Sequence, residues 1–140
     1  MNAPLYTTEI MRLASSLQEA RTLEREDGIA ELRSPTCGSH IRTVVQLDDD
    51  GRILALSQQV QACAFGQASA ALLEQNVVGR TSVEIAEALA ALTAWLAGEV
   101  EQGTAWLPLE PLAPARRRSG RHGAILLPLR ALAAALDHAK

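Results

Sequence analysis

The chain predicts an α+β fold: an N-terminal helix, a three-stranded antiparallel sheet, and then helices packed on one face of that sheet. Three observations predict it. Ile41, Thr43, Val45 and Leu47 alternate with Arg42, Val44 and Gln46 at a period of two. Asp50-Gly51 follows with a strong hairpin signal, and beyond Ala64 the apolar spacing becomes helical. Strands grouped first and helices grouped afterwards indicate α+β. The length of 140 residues suits a single domain over 1–140 with one core.

The elements follow in order. Thr7 and Thr8 cap a helix that carries Ile10, Leu13 and Leu17 at helical spacing and runs to about Gln18. Glu19 to Gly28 is charge-rich and reads as a linker. Gly28 to Arg33 makes a short strand that ends at Pro35, and Ile41 to Leu47 makes the second. Asp48-Asp49-Asp50-Gly51 turns the chain into a third strand, Ile53 to Val60, with Leu54, Leu56 and Val60 assigned to one face. The three aspartates lack the rest of a calcium loop and read as a solvated turn. A helix then runs from Ala64 toward Gly79, its small residues Ala68 to Ala71 suited to close packing. Thr81-Ser82-Val83-Glu84 is a capping box opening a helix to Gly98. Glu99 to Leu112 is a loop, followed by the basic stretch Pro114 to Gly123. The final helix is expected from about Leu126 to Asp137, with Pro128 in its first turn.

Composition narrows the function. Hydrophobic residues make up 48%, which excludes a disordered chain, while aromatics make up only 3%, too few for base-stacking platforms. A formal charge of −3 gives no general attraction to nucleic acid or to an anionic membrane. No signal peptide and no run of transmembrane length is visible, so the expected compartment is the cytoplasm, where thiols stay reduced.

The two cysteines carry the chemical signal. Cys37 lies in the loop Pro35-Thr36-Cys37-Gly38-Ser39, and Cys63 lies where the third strand turns into a helix. A helix N-terminus favours thiolate. In a three-stranded meander both points fall at the same end of the sheet, and the loop bearing His122 reaches that end too. Cys, Cys and His are a ligand set for zinc or for an iron–sulfur cluster, and three ligands with an open position suit transient binding. The plain alternative is two small core residues, against which Gly38 and the loop setting weigh. His40 reads as the start of a strand and His138 as a solvated side chain. Arg116, Arg117, Arg118 and Arg121 read as a solvated loop, as a docking patch for an acidic partner, or as a positive field near the thiols.

Pro35-Thr36-Cys37-Gly38, the hairpin with its Asp-Gly turn, Cys63 leading into Ala68-Ser69-Ala70, and the step Val78-Gly79-Arg80-Thr81 together resemble the iron–sulfur cluster assembly scaffolds of the IscU, NifU N-terminal and SufU type. The resemblance spans Leu5-Tyr6 through the last helix. It implies the IscU/SufE-like fold and a scaffold or carrier, more a binding protein than an enzyme, that holds iron or a labile cluster through Cys37 and Cys63. His122 is a further candidate ligand. The implied partners are a cysteine desulfurase as sulfur donor and recipient apo-proteins, without nucleic acid or membrane. A zinc-containing protein accepting persulfide sulfur, and a metal-free binding module of the same fold, are the alternatives. Two departures stand out. Ser39 occupies the position where the family has aspartate. With the register set on Ile125-Leu126-Leu127-Pro128-Leu129, Ala124 occupies that of a third cysteine. Sulfur acceptance then falls to Cys63 or Cys37. A Leu-Pro-Pro-Val-Lys docking signature is absent, and the long Glu99–Leu112 loop makes the SufU-like branch the closer comparison.

Overall fold

The computed structural model describes residues 6–34 and 38–139, so Cys37, with Pro35 and Thr36, lies outside the described residues. The chain runs α1 (Thr8–Ser16), β1 (Gly28–Arg33), β2 (His40–Leu47), β3 (Ile53–Gln61), α2 (Ala64–Asn76), α3 (Ser82–Leu96), a 3₁₀ segment η1 (Glu110–Ala115) and α4 (Ser119–His138). Helix, three strands, then helices is the order expected. The sheet is a meander, β1-β2-β3, antiparallel throughout.

Local chemistry sets several of the element ends. The Thr7 hydroxyl accepts the Ile10 N–H at 3.1 Å and opens α1. In the α3 capping box, Thr81 Oγ1 accepts the Glu84 N–H at 3.2 Å while Glu84 Oε1 accepts the Thr81 N–H at 3.1 Å. Asp48 Oδ1 accepts the backbone N–H groups of Asp50 and Arg52, both at 2.9 Å, which uses the first aspartate to hold the hairpin turn. Helix α1 stops at Ser16, short of Gln18. There the Gln18 N–H turns to Glu74 Oε1 of α2 at 2.8 Å, and the chain leaves the helix to cross the sheet.

One face of the sheet carries the helices. Ile41, Val45 and Leu56 point into it with Ile53, and α4 lies across β1 and β2. Phe65, Leu73, Ile85, Leu92, Ile125 and Leu132 are fully buried between the helices and the sheet. Burying a side chain of this size stabilises the fold by about 1.5–3 kcal/mol. A smaller cluster of Ile41, Leu127 and Ala131, flanked by Leu32 and Val60, closes the sheet end nearest the β1–β2 loop. The opposite face is covered as well. The segment after α1 crosses it, with the Arg21 N–H donating to Ser57 Oγ at 2.9 Å, and Leu23 and Val44 are both buried. The stretch read as a linker is thus a cover that lacks regular structure.

Two expectations need correction. Leu54 does not share a face with Leu56: it is 50% exposed, because the register jumps from Gln46↔Ala55 to Leu47↔Ile53 and this bulge turns Ile53 inward instead. Helix α4 begins at Ser119 rather than near Leu126, so Pro128 lies inside it. Pro128 has no N–H for the Ala124 carbonyl. The next carbonyl, that of Ile125, accepts Ser69 Oγ from α2 at 2.7 Å, so the interrupted turn is tied to a neighbouring helix.

Candidate metal centre

The site is built at the end of the sheet where β1 passes to β2 and β3 passes to α2. Arg33 pairs with His40, and His40 with Gln61, so the base of the β1–β2 loop and the end of β3 are adjacent. The Ser34 N–H donates to the Ser39 carbonyl at 2.8 Å, and the Gly38 N–H donates to the Ser34 carbonyl at 3.1 Å. This tight closure needs Gly38 at φ +70, a conformation strained for a residue with a side chain. Ser39, in the aspartate position, is 3% exposed, so its side chain is part of the packed base of the loop.

From Gln61 the chain passes through Ala62 to Cys63, the N-cap of α2, with extended backbone at φ −66 and ψ 173. The Cys63 carbonyl accepts the Gln67 N–H at 3.0 Å, and Gln67 Nε2 donates to the Ala62 carbonyl at 3.0 Å, fixing both residues against the first turn. The Cys63 side chain makes no capping hydrogen bond, so the first-turn N–H groups are left for another acceptor. Cys63 is a free thiol, half-buried, packed against the edge of the main core.

Helix α4 meets α2 at this point. A Cβ built on Gly66 would lie 2.6 Å from Ala62 Cβ and 3.3 Å from Ala124 Cβ. Ala124 is therefore beside the first turn of α2, one turn from Cys63. At this point beside the first turn of α2, α4 presents only the methyl group of Ala124. Tyr6 joins the same corner: its ring lies 5.4 Å from that of Phe65, and the Arg121 guanidinium lies 5.9 Å from the Tyr6 ring. Sequence reasoning missed Tyr6 and Gly66 as parts of this corner. The only available signals were the scarcity of aromatics and a glycine three residues after a cysteine.

His122 sits in the first turn of α4. Its Nε2 lies 3.0 Å from the carbonyl oxygens of both Ala115 and Arg116. Carbonyls only accept, so Nε2 carries the proton and donates to them, which leaves the Nδ1 lone pair free in the neutral ring. A backbone carbonyl behind one nitrogen is the arrangement that orients a ligating imidazole, although here it also closes η1 onto α4. Among the described residues, no three His, Cys, Asp or Glu side chains converge to hold a metal ion. His40 starts β2 as expected, and His138 is held by its Nδ1 at 2.8 Å from the Ile29 carbonyl. No helix among the described residues is long and apolar enough to cross a membrane.

Comparison with known proteins bears on this geometry. The family pattern described as NifU-like N terminal domain matches residues 5–108. No curated protein matches the chain. The crystal structure of the N-terminal part of a nitrogen-fixing NifU-like protein from Brucella abortus is similar, at 27% identity and a TM-score of 0.86, covering 96% of this chain and 93% of that one. A protein from the thermophile Fervidobacterium islandicum AW-1, described as an iron–sulfur cluster assembly scaffold for the SUF system, aligns at 20% identity with a TM-score of 0.77, over 94% of this chain and 96% of that one. That second likeness speaks for the fold.

Proposed function

The chain belongs to the NifU-like N-terminal domain family, and from that membership we propose that it is a scaffold or carrier in iron–sulfur cluster assembly, with Cys37 and Cys63 as its thiolate ligands. The observation that carries the reading is the strand register, which brings the base of the Cys37 loop to the Cys63 end of β3. The cluster or its iron is cargo, received and passed on. His122 is the third ligand in this reading, through Nδ1. Its Nε2–H on two carbonyls supports the role by fixing the tautomer. The partners are a cysteine desulfurase that supplies sulfur and apo-proteins that receive the product.

The chain's own residues make this a reduced version of such a site. Ser39 is buried and uncharged where a carboxylate would add an anionic donor, and Ala124 offers no sulfur. Persulfide sulfur would be received on Cys63, which is half-buried but free, or on Cys37. With at most two thiolates and one imidazole, a bound iron keeps an open position, which favours release to a recipient over permanent storage.

Anaerobic reconstitution with ferrous iron and sulfide is the test. The expected result is visible absorbance in the parent that is lost in Cys37→Ser and in Cys63→Ser. His122→Ala should weaken metal binding by about 10–100-fold, the usual scale for disturbing a ligand or its support. Protein that carries about one zinc as purified and refuses a cluster would replace this reading with zinc-dependent sulfur transfer. Protein that takes up no metal, with stability indifferent to both cysteine substitutions, would leave a metal-free binding module.

A further inference from the structure

A second feature lies where η1 leads into the first turn of α4. No acidic residue occurs between Glu110 and Asp137, while Arg116, Arg117, Arg118, Arg121 and Arg130 all do. Three of these line an open groove of about 830 Å³, together with Ala97 and Gly98 just past the end of α3 and Ala113 and Pro114 of η1.

The three arginines do different work. Arg116 is committed to the fold: its Nε donates to the Trp95 carbonyl at 2.9 Å, its Nη2 donates to the Val100 carbonyl at 2.8 Å, and its guanidinium stacks 4.8 Å from the Trp95 ring centroid. It also faces Glu101 at 3.7 Å. Arg117 and Arg118 are exposed, and among the described residues no hydrogen bond or ion pair engages either side chain. Packing and internal pairing therefore account for Arg116 and leave two forked cations beside the small residues of the groove.

The geometry points to this groove as a docking site for an acidic, extended segment of a partner protein. Guanidinium groups pair with carboxylates in a bidentate manner, and two neighbouring forks suit carboxylates spaced along a chain. The volume exceeds what a single inorganic anion fills. No aromatic side chain lines the groove among the described residues, so bases would find nothing to stack on, which favours a peptide over a nucleic acid. Docking here is also productive in position. Arg118 is the N-cap of α4, and Ala124, beside Cys63's helix, lies six residues on, roughly 9 Å along the helix at 1.5 Å per residue. A partner gripping the groove would be held at the start of the helix that packs against Cys63's helix, at raised effective concentration.

This inference is tested without iron, on the purified full chain. A fluorescein-labelled oligoglutamate peptide is followed by anisotropy at low and high salt, beside a single-stranded oligonucleotide of matched charge. Peptide binding that weakens with salt, and falls about tenfold in Arg117→Glu and in Arg118→Glu, is expected. Arg42→Glu, on the outer face of β2, should leave it unchanged. Glu101→Gln should tighten it severalfold by removing the one carboxylate in the wall. Equal loss in Arg42→Glu, tighter binding of the oligonucleotide, or no peptide binding at low salt would each overturn the proposal. Circular dichroism of each variant separates lost binding from lost fold. Because no cluster is present, failure here leaves the cluster reading standing, and the converse also holds.

Discussion

Gly66→Ala sets two opposed effects against each other at the corner that holds Cys63. As a helical residue, alanine is better than glycine by about 0.8–1 kcal/mol, so propensity alone makes the variant more stable. The new methyl, however, would lie 2.6 Å from Ala62 Cβ and 3.3 Å from Ala124 Cβ. Neither neighbour is a flexible side-chain end, so at least the first contact must open to about 3.0 Å by moving backbone. Overpacking of this kind costs about 1–3 kcal/mol. The net expectation is a loss of about 1 kcal/mol, read as a lower urea midpoint at unchanged slope. Moving Ala62 also moves Cys63, so the rate of thiol labelling by an aromatic disulfide reagent should change. The double variant Ala62→Gly/Gly66→Ala removes the tighter contact. Its stability should exceed the sum of the single effects by at least about 0.5 kcal/mol. A Gly66→Ala protein stabilised by the full propensity gain, with no coupling in the double variant, would refute the claim that the first turn of α2 packs too tightly on Ala62, beside the thiol, to admit a methyl group.

Two further tests address the frame of the site. Ser69→Ala removes the buried 2.7 Å hydrogen bond to the Ile125 carbonyl, which lies in the turn that Pro128 interrupts. A loss of about 1–2 kcal/mol in urea unfolding is expected, and no loss would mean that α4 closes this turn by itself. The third concerns acid. The Thr81 N–H first, then Arg80, hold the Glu84 carboxyl below its ordinary range, and the Arg25 side chain first, then the Leu47 N–H, do the same for Asp27. A carboxyl depressed in the folded state adds stability that is present above its unfolded pKa and is lost as pH falls through the folded one. Burial acts first on Glu74 and raises it, so its contribution runs the other way, present at low pH and lost as pH rises through the folded value. Glu84→Gln keeps an acceptor for the capping box but cannot ionise. Its urea midpoint between about pH 6 and pH 2 should fall less steeply than the parent's, and parallel curves would refute the assignment.

Much of the frame was legible in the sequence because it rests on contacts only a few residues apart. Thr7 and Thr81 cap their helices by reaching three residues along the chain, and Asp48 holds its turn by reaching two and four. The period-two run in β2, with a hairpin on each side, implied a meander, and a meander brings Cys63 and the Cys37 loop to one end of the sheet. What remained illegible depends on partners far away in sequence. Nothing local announces that the stretch after α1 will cover Val44 and Ser57, or that a bulge will turn Leu54 outward. Pro128 reads as a first-turn residue, but α4 starts at Ser119, and Ser69, 56 residues away in sequence, binds the Ile125 carbonyl next to the one that Pro128 leaves without a donor. Four arginines close together read as one basic loop. Only the packed structure separates Arg116, bound to the carbonyls of Trp95 and Val100, from Arg117 and Arg118, which are left unpaired among the described residues. The sequence by itself determined the order of elements and which side chains offer sulfur or imidazole, through local periodicity and capping. The tertiary structure decided which groups are used up by the fold and which stay free to meet a ligand, because that depends on burial and on donors and acceptors brought together from distant parts of the chain.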